Sequence, residues 1–201
     1  MTTSADIVNE SLELIASQAQ ITALNDGSVE GNAAAVVYAP TVQLLLRQLD
    51  PDFARLPSFE LSVTAAASVP SPWAYEYAYP ADCLRLRQLA PPASGPGSLA
   101  DPFDPVPIRG EVAFDPNGQG ANKPAKVILS NQQSALATYT TSLVTEDDWD
   151  PAFREAVVRR LANPLAMAIA GRPDFARELL EESERYAGLA ELADDSADGQ
   201  V

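Results

Sequence analysis

At 201 residues the chain is long enough for one or two compact domains, each with its own core. Hydrophobic residues make up 46% and charged residues 20%, as in ordinary globular proteins, while a net charge of −15 argues against a large surface that grips phosphates or anionic lipid. With no histidine and Cys83 as the single cysteine, Ser-His-Asp and Cys-His catalysis, conventional zinc sites and an intrachain disulfide are excluded, which leaves carboxylate chemistry or oxygen-ligated metals.

Asp6, Glu10 and Glu13, with no Lys or Arg among the first twenty residues, are unlike a secretory signal. Apolar runs such as 33–39 are too short to span a bilayer. Thr3-Ser4-Ala5-Asp6 forms a T-x-x-D capping box, and Val8, Leu12, Ile15 and Ala19 follow helical spacing, which predicts a helix over about 5–18. Asn25-Asp26-Gly27-Ser28 is a turn. Ser28 or Asn32 then caps a second helix reaching about Leu49, with a kink or break at Pro40. Asp50-Pro51 ends it, and 53–67 reads as partly helical.

From Val69 the texture changes to prolines, glycines and period-two spacing. Tyr75, Tyr77 and Tyr79 recur at every second position, and Leu84 and Leu86 alternate with Arg85 and Arg87, so 75–79 and 84–89 read as strands. Val106, Ile108, Gly110, Val112 and Phe114 predict one half-buried strand face; 127–129 and 136–144 complete the strands. The stretch 91–105 is a long surface loop, and 115–124 a hairpin connection. Helical texture returns at Asp150-Pro151, an N-cap with proline at the first helical position. Phe153, Val157, Leu161 and Leu165 form an i, i+4 stripe, Pro164 predicts a kink, and Gly171-Arg172-Pro173 starts a last helix bearing Phe175, Leu179 and Tyr186. The acidic stretch 194–201 reads as a frayed tail. The expected fold class is therefore α+β: a helical bundle formed by both chain ends, 1–69 and 150–193, with an inserted antiparallel β unit over 70–149.

Asp115-Pro-Asn117-Gly-Gln119-Gly120 begins like a calcium loop, but its twelfth position, which needs a bidentate carboxylate, is Lys126. Gly118-x-Gly120-x-x-Lys123 lacks the ending of a phosphate loop. Glu146-Asp147-Asp148-Trp149-Asp150 is a cluster of four carboxylates; a metal or acid/base site is conceivable, and capping of the following helix is the stronger reading. No cofactor is expected. The tyrosine face has two open readings, a packed core edge or an interface between subunits, for which Tyr is enriched. Arg85 and Arg87 read as a solvated face, or as partners for a neighbour's carboxylates.

Four segments resemble the head-to-tail adaptor proteins of tailed bacteriophages, the tail tubular protein A group. They are "NESLELIA"; "DPDFARLPSFELS", with Pro51 where the family has a tryptophan; "PWAYEYAYPADCLRLRQL"; and "WDPAFREAVVRRLANPLAMAIAG". Together they cover most of the chain outside 91–105 and the acidic tail. The resemblance implies a structural virion protein, not an enzyme, at the head–tail junction, assembled in the host cytoplasm. It implies a ring, often of twelve copies, beneath the portal protein. The ring extends the DNA exit channel and gives a platform to the next tail component, a nozzle or tail-tube protein. DNA passes through such a lumen without specific binding, which an acidic wall suits, and no membrane is involved. Tyr75, Tyr77, Tyr79, Arg85 and Arg87 are the candidate subunit interface. The alternatives are a carboxylate-dependent cell-wall glycan hydrolase, needing two carboxyl groups about 5–10 Å apart, or another head- or tail-completion protein.

Overall fold

The structure, a computed structural model, describes residues 1–64, 69–92, 109–115 and 125–198. It is an α+β chain with helices at both ends and antiparallel sheets between them. The chain divides into two compact units, one made of Met1–Ala54 with Ser142–Val201 and the other of Arg55–Thr141.

In the helical unit, α1 spans Ser4–Leu14, α2 Val29–Leu49, α3 Pro151–Leu165 and α4 Pro173–Asp198. α3 is the hub, because α1, α2 and α4 all pack against it. Its stripe of Phe153, Val157, Leu161 and Leu165 is buried, as the i, i+4 spacing requires. Phe153 meets the rings of Phe53 and Trp149 edge to face, with centroids 5.1 and 5.3 Å away. Two buried serines sit where helices approach closely: the Ser11 hydroxyl reaches Val158 O at 2.9 Å, and Ser183 donates to Ala156 O at 3.0 Å.

The helix starts follow local chemistry. Thr3 and Asp6 form a reciprocal capping box, Ser28 Oγ accepts from Gly31 N at 2.9 Å, and Asp150 accepts from Ala152 N and Phe153 N. Several ends differ from expectation. α1 stops at Leu14, not near Gln18, because Ala16 turns left-handed (φ 59°) and Ser17 N bonds back to Leu12 O. α2 continues through Pro40, whose ring lies on the exposed side. After Pro164 the backbone widens into a π turn, Ala166–Ala170, closed by Gly171 N donating to Ala166 O. Residues 194–198, expected as a frayed tail, continue α4, since nothing before Gly199 breaks a helix.

The β unit starts earlier than expected. Only Asp52–Ala54 is helical, a single 3-10 turn, and β1 (Arg55–Glu60) falls inside the segment assigned to the N-terminal helices. β2 is Tyr75–Ala78, β3 Cys83–Ala90, β4 Gly110–Asp115, β5 Ala125–Ser130 and β6 Leu136–Thr141. The unit ends at Thr141 rather than 149. Its strands form two three-stranded antiparallel sheets, β1-β6-β3 and β2-β5-β4. One cluster of buried side chains belongs to both, with Tyr77 and Ile128 from one sheet and Cys83, Leu89, Ala137 and Tyr139 from the other. Gly110 lies where β4 passes Leu89: a Cβ there would lie 2.2 Å from Leu89 Cδ1, so the leucine side chain would have to move. Most of the expected loop 91–105, residues 106–108 of the expected strand, and the calcium-like stretch beyond Asp115 lie outside the described residues.

Candidate interaction surface

The tyrosine alternation of β2 is an inward face. Tyr77 is fully buried, and Tyr75 and Tyr79 are half-buried against the same core cluster. The Tyr77 hydroxyl donates to Gln132 O and accepts from Ala135 N at 3.4 Å, tying the strand to the turn before β6. Tyr77 therefore cannot present itself to a neighbouring subunit, and its place among interface candidates is corrected. Tyr79 keeps one face accessible to a cation: Lys126 Nζ lies 3.7 Å from its ring centroid.

β3 departs from plain alternation. Against β6, Cys83 pairs with Thr141 but Arg85 with Thr140, and Leu86 pairs with Tyr139 but Gln88 with Thr138. Each step inserts one extra residue, first Leu84 and then Arg87, and each insertion resets which side faces inward. The core residues are thus Cys83, Leu86 and Leu89, spaced by three rather than two. Arg85 is exposed; Arg87 is half-buried, with Nε donating to Thr140 Oγ1 at 3.2 Å. The expected pairing of Leu84 with Leu86 on one face does not survive the two bulges.

Asp82, at the turn into β3, accepts from Tyr139 OH at 3.1 Å and Thr141 Oγ1 at 2.6 Å. Burial, and next the Asp82 carboxylate, hold the Tyr139 phenol above its usual range. Burial also pushes up the Tyr77 phenol and the Cys83 thiol. A thiol buried and kept protonated in this way is a poor nucleophile.

The acidic run 146–150 is built into the helical unit one carboxylate at a time. Glu146 accepts from Tyr38 OH at 2.7 Å, Asp147 from Thr2 N at 2.6 Å, Asp148 from Thr145 N and Oγ1, and Asp150 caps α3. The Thr145 bonds hold the Asp148 carboxyl below its usual range. The four therefore point at four different donors. Among the described residues no group of His, Cys, Asp or Glu is placed to hold a metal ion, and no helix is long and apolar enough to cross a membrane.

Two exposed patches are apolar. On β4 the face expected to be half-buried, with Val112 and Phe114, is the exposed one; Phe114 is 67% exposed beside a groove of about 290 Å³ that Glu76, Val127 and Leu129 also line. α2 carries a second exposed apolar face. Its trace in the sequence is composition rather than pattern, since only Glu30 and Arg47 are charged in its 21 residues. Comparison with known protein families finds no match, and comparison with curated proteins finds no similar sequence.

Proposed function

We propose that this chain is a structural assembly protein of the head-to-tail adaptor type, forming a ring under a phage portal and carrying the next tail component. The observation that carries this reading is the order of elements. The four adaptor-like segments fall on α1, on the 3-10 turn with β1, on β2 with β3, and on α3, so that along the chain helices precede and follow the strands. The fate of the acidic cluster supports it too. Two of its carboxylates serve a turn and a helix cap and two tie distant segments of the helical unit together, which is what a scaffold asks of them and not what acid/base catalysis needs. On this reading the protein is not an enzyme. Its partners are the portal protein, a nozzle or tail-tube protein and further copies of itself, often twelve. DNA crosses an acidic lumen unbound, and the protein resides at the head–tail junction of the virion after assembly in the host cytoplasm.

In the ring, Arg85 and Arg87, with the accessible parts of Tyr75 and Tyr79, belong to the contact between neighbouring subunits. Copies that each carry −15 need cations at their contacts to offset repulsion. The test mixes purified protein with a purified phage portal protein and images the product by negative stain. A ring of added density on the portal is expected, and the Arg85→Glu, Arg87→Glu variant, folded by circular dichroism, should fail to complete it. A wild-type protein that leaves the portal bare overturns the function; a charge-reversed variant that still closes the ring overturns the interface.

A further inference from the structure

We propose that the outer edge of β4 takes up an extended, basic segment of a partner protein as a further strand. Edge strands invite such pairing, and folds blunt the edges they do not use with proline, bulges, charge or cover. The β unit does this at three of its four edges. β1 carries Pro57 and a left-handed Ser58, and its register slips between Leu56 and Phe59. β3 has two register shifts and the exposed Arg85. β2 is covered by 62–64: Thr64 N donates to Glu76 O at 2.8 Å, Ala78 N donates to Ser62 O at 2.9 Å, and Val63 bridges to Tyr77. β4 is built differently. Its six residues pair with β5 in unbroken register, from Gly110 with Ser130 to Asp115 with Ala125, and include no proline, lysine or arginine. Among the described residues no strand lies on its other side. Val112 is 40% and Phe114 67% exposed.

The side chains beside this edge fix the chemistry of the partner. By the register of the sheet, Glu76, Val127, Leu129, Glu111, Ala113 and Asp115 share one face. Three of them are carboxylates. Glu76 is only 4% exposed, with Thr64 Oγ1 donating to its Oε1 at 2.7 Å. Burying a carboxylate against one neutral hydroxyl is costly, and a cation nearby offsets that cost. Among the described residues no carboxylates are grouped to hold a metal ion, so the cation comes on a chain. Glu111 and Asp115 lie about 13 Å apart along β4, four residues at the strand rise. A segment with Lys or Arg at i and i+4 therefore meets both. Its residue i+2 lies beside Ala113, at the groove of about 290 Å³ where Pro70, Phe114, Val127 and Leu129 suit the stem of a third basic side chain. A second copy of β4 fits badly. Paired antiparallel about Ala113, it sets Glu111 across from the other copy's Asp115, like charge against like. Strand addition draws affinity from main-chain hydrogen bonds and specificity from alternate side chains, and the edge of β4 offers both. The contact uses the β unit alone and does not depend on the portal reading.

The probe is a labelled peptide of about ten residues alternating Lys and Thr, long enough to overrun the six residues of β4. In about 0.1 M salt, fluorescence anisotropy should give a dissociation constant below about 1 mM, and amide exchange at 110–115 should slow when the peptide is bound. The same peptide with N-methylated amides keeps the charge and loses the donors; one with Glu for every Lys keeps the donors and reverses the charge. Each should bind about tenfold more weakly or worse. Glu111→Lys, at an exposed site, should weaken binding of the Lys-Thr peptide by a similar factor of about ten. Glu181→Lys makes the same charge change at an exposed site on α4 and should bind like wild type. A wild-type protein that does not bind the peptide by about 1 mM overturns the proposal. So does an N-methylated peptide that binds equally, which is bare attraction to a chain of −15, or a Glu181→Lys variant that loses as much as Glu111→Lys. Exchange at 110–115 that slows with protein concentration alone puts a second copy on β4 and overturns the basic segment as its occupant.

Discussion

The two units protect their folds by opposite kinds of chemistry. The helical unit spends its carboxylates on helix starts and turns: Asp6, Asp26 and Asp148 each accept bonds from nearby hydroxyls and backbone amides, and each is held below its usual range by them. In the β unit the shifted groups lie inside. Tyr77, Cys83 and Tyr139 are buried in one cluster, and burial raises all three. Helix ends expose free amides that want an anion. A small two-sheet core has few large residues, and Tyr supplies volume provided its hydroxyl finds a partner. Tyr38, raised by burial and then by Glu146, is the helical unit's exception.

Each unit carries one tryptophan, Trp149 in the helical unit and Trp73 in the β unit, so fluorescence of Trp73→Phe and Trp149→Phe backgrounds reads them separately. The largest effect is expected for Leu161→Ala, which empties a fully buried site on the hub helix and should cost the helical unit about 2–5 kcal/mol in urea unfolding. A loss below about 0.5 kcal/mol would show that α3 is not the hub. Tyr139→Phe comes next. It removes a donor from the Asp82 carboxylate, so the Trp73 signal should report about 2 kcal/mol lost, the scale for bonds to charged groups. Asp150→Ala should cost the Trp149 signal about 1 kcal/mol as a lost cap, with the β unit unmoved.

The pH dependence sharpens the contrast with smaller effects near neutrality. A depressed carboxyl contributes stability above its unfolded pKa, near 3.9 for Asp, and loses it as pH falls through the folded value. A raised thiol or phenol contributes below its unfolded pKa, about 8.5 for Cys and 10 for Tyr, and that contribution fades as pH climbs from there toward the folded value. Between about pH 5 and 8 both signals should therefore be flat. Below about pH 4 the Trp149 midpoint should fall first, and above about pH 9 the Trp73 midpoint. The reverse order would break the comparison.

The helical unit was the more legible of the two, because capping is local. Thr3 with Asp6, Ser28, and Asp150-Pro151 can each be read within four residues, and the stripe Phe153, Val157, Leu161, Leu165 names its own buried face. β1 was missed because its side chains are mostly exposed, so no alternation marks it; Pro57 and the left-handed Ser58 interrupt what remains. Its pairing with β6 is a long-range contact that sequence does not announce. In β3 the alternation was real in the sequence and misleading in space, since the bulges at Leu84 and Arg87 arise from pairing, not from local preference. For the candidate surface, Arg85 and Arg87 stand out in the sequence as arginines alternating along one strand of an acidic chain, and their place at a subunit contact is a proposal. Tyr77 was misplaced, because a period-two pattern says which residues share a face but not which way that face points.

The hub helix has a consequence for the order of events during synthesis. Ser11 on α1 reaches Val158 on α3 across 147 residues of chain, and the whole β unit lies between them. On a ribosome adding roughly 5–20 residues per second, α1 and α2 wait several seconds with their apolar faces uncovered before α3 emerges. The β unit, continuous from Arg55 to Thr141, has all of its strands by then and can close without either chain end. The nascent protein thus completes its middle first and its beginning last. During that interval the buried side of α2 and its exposed apolar face are both open to water, which makes α1 and α2 the segment most in need of a chaperone.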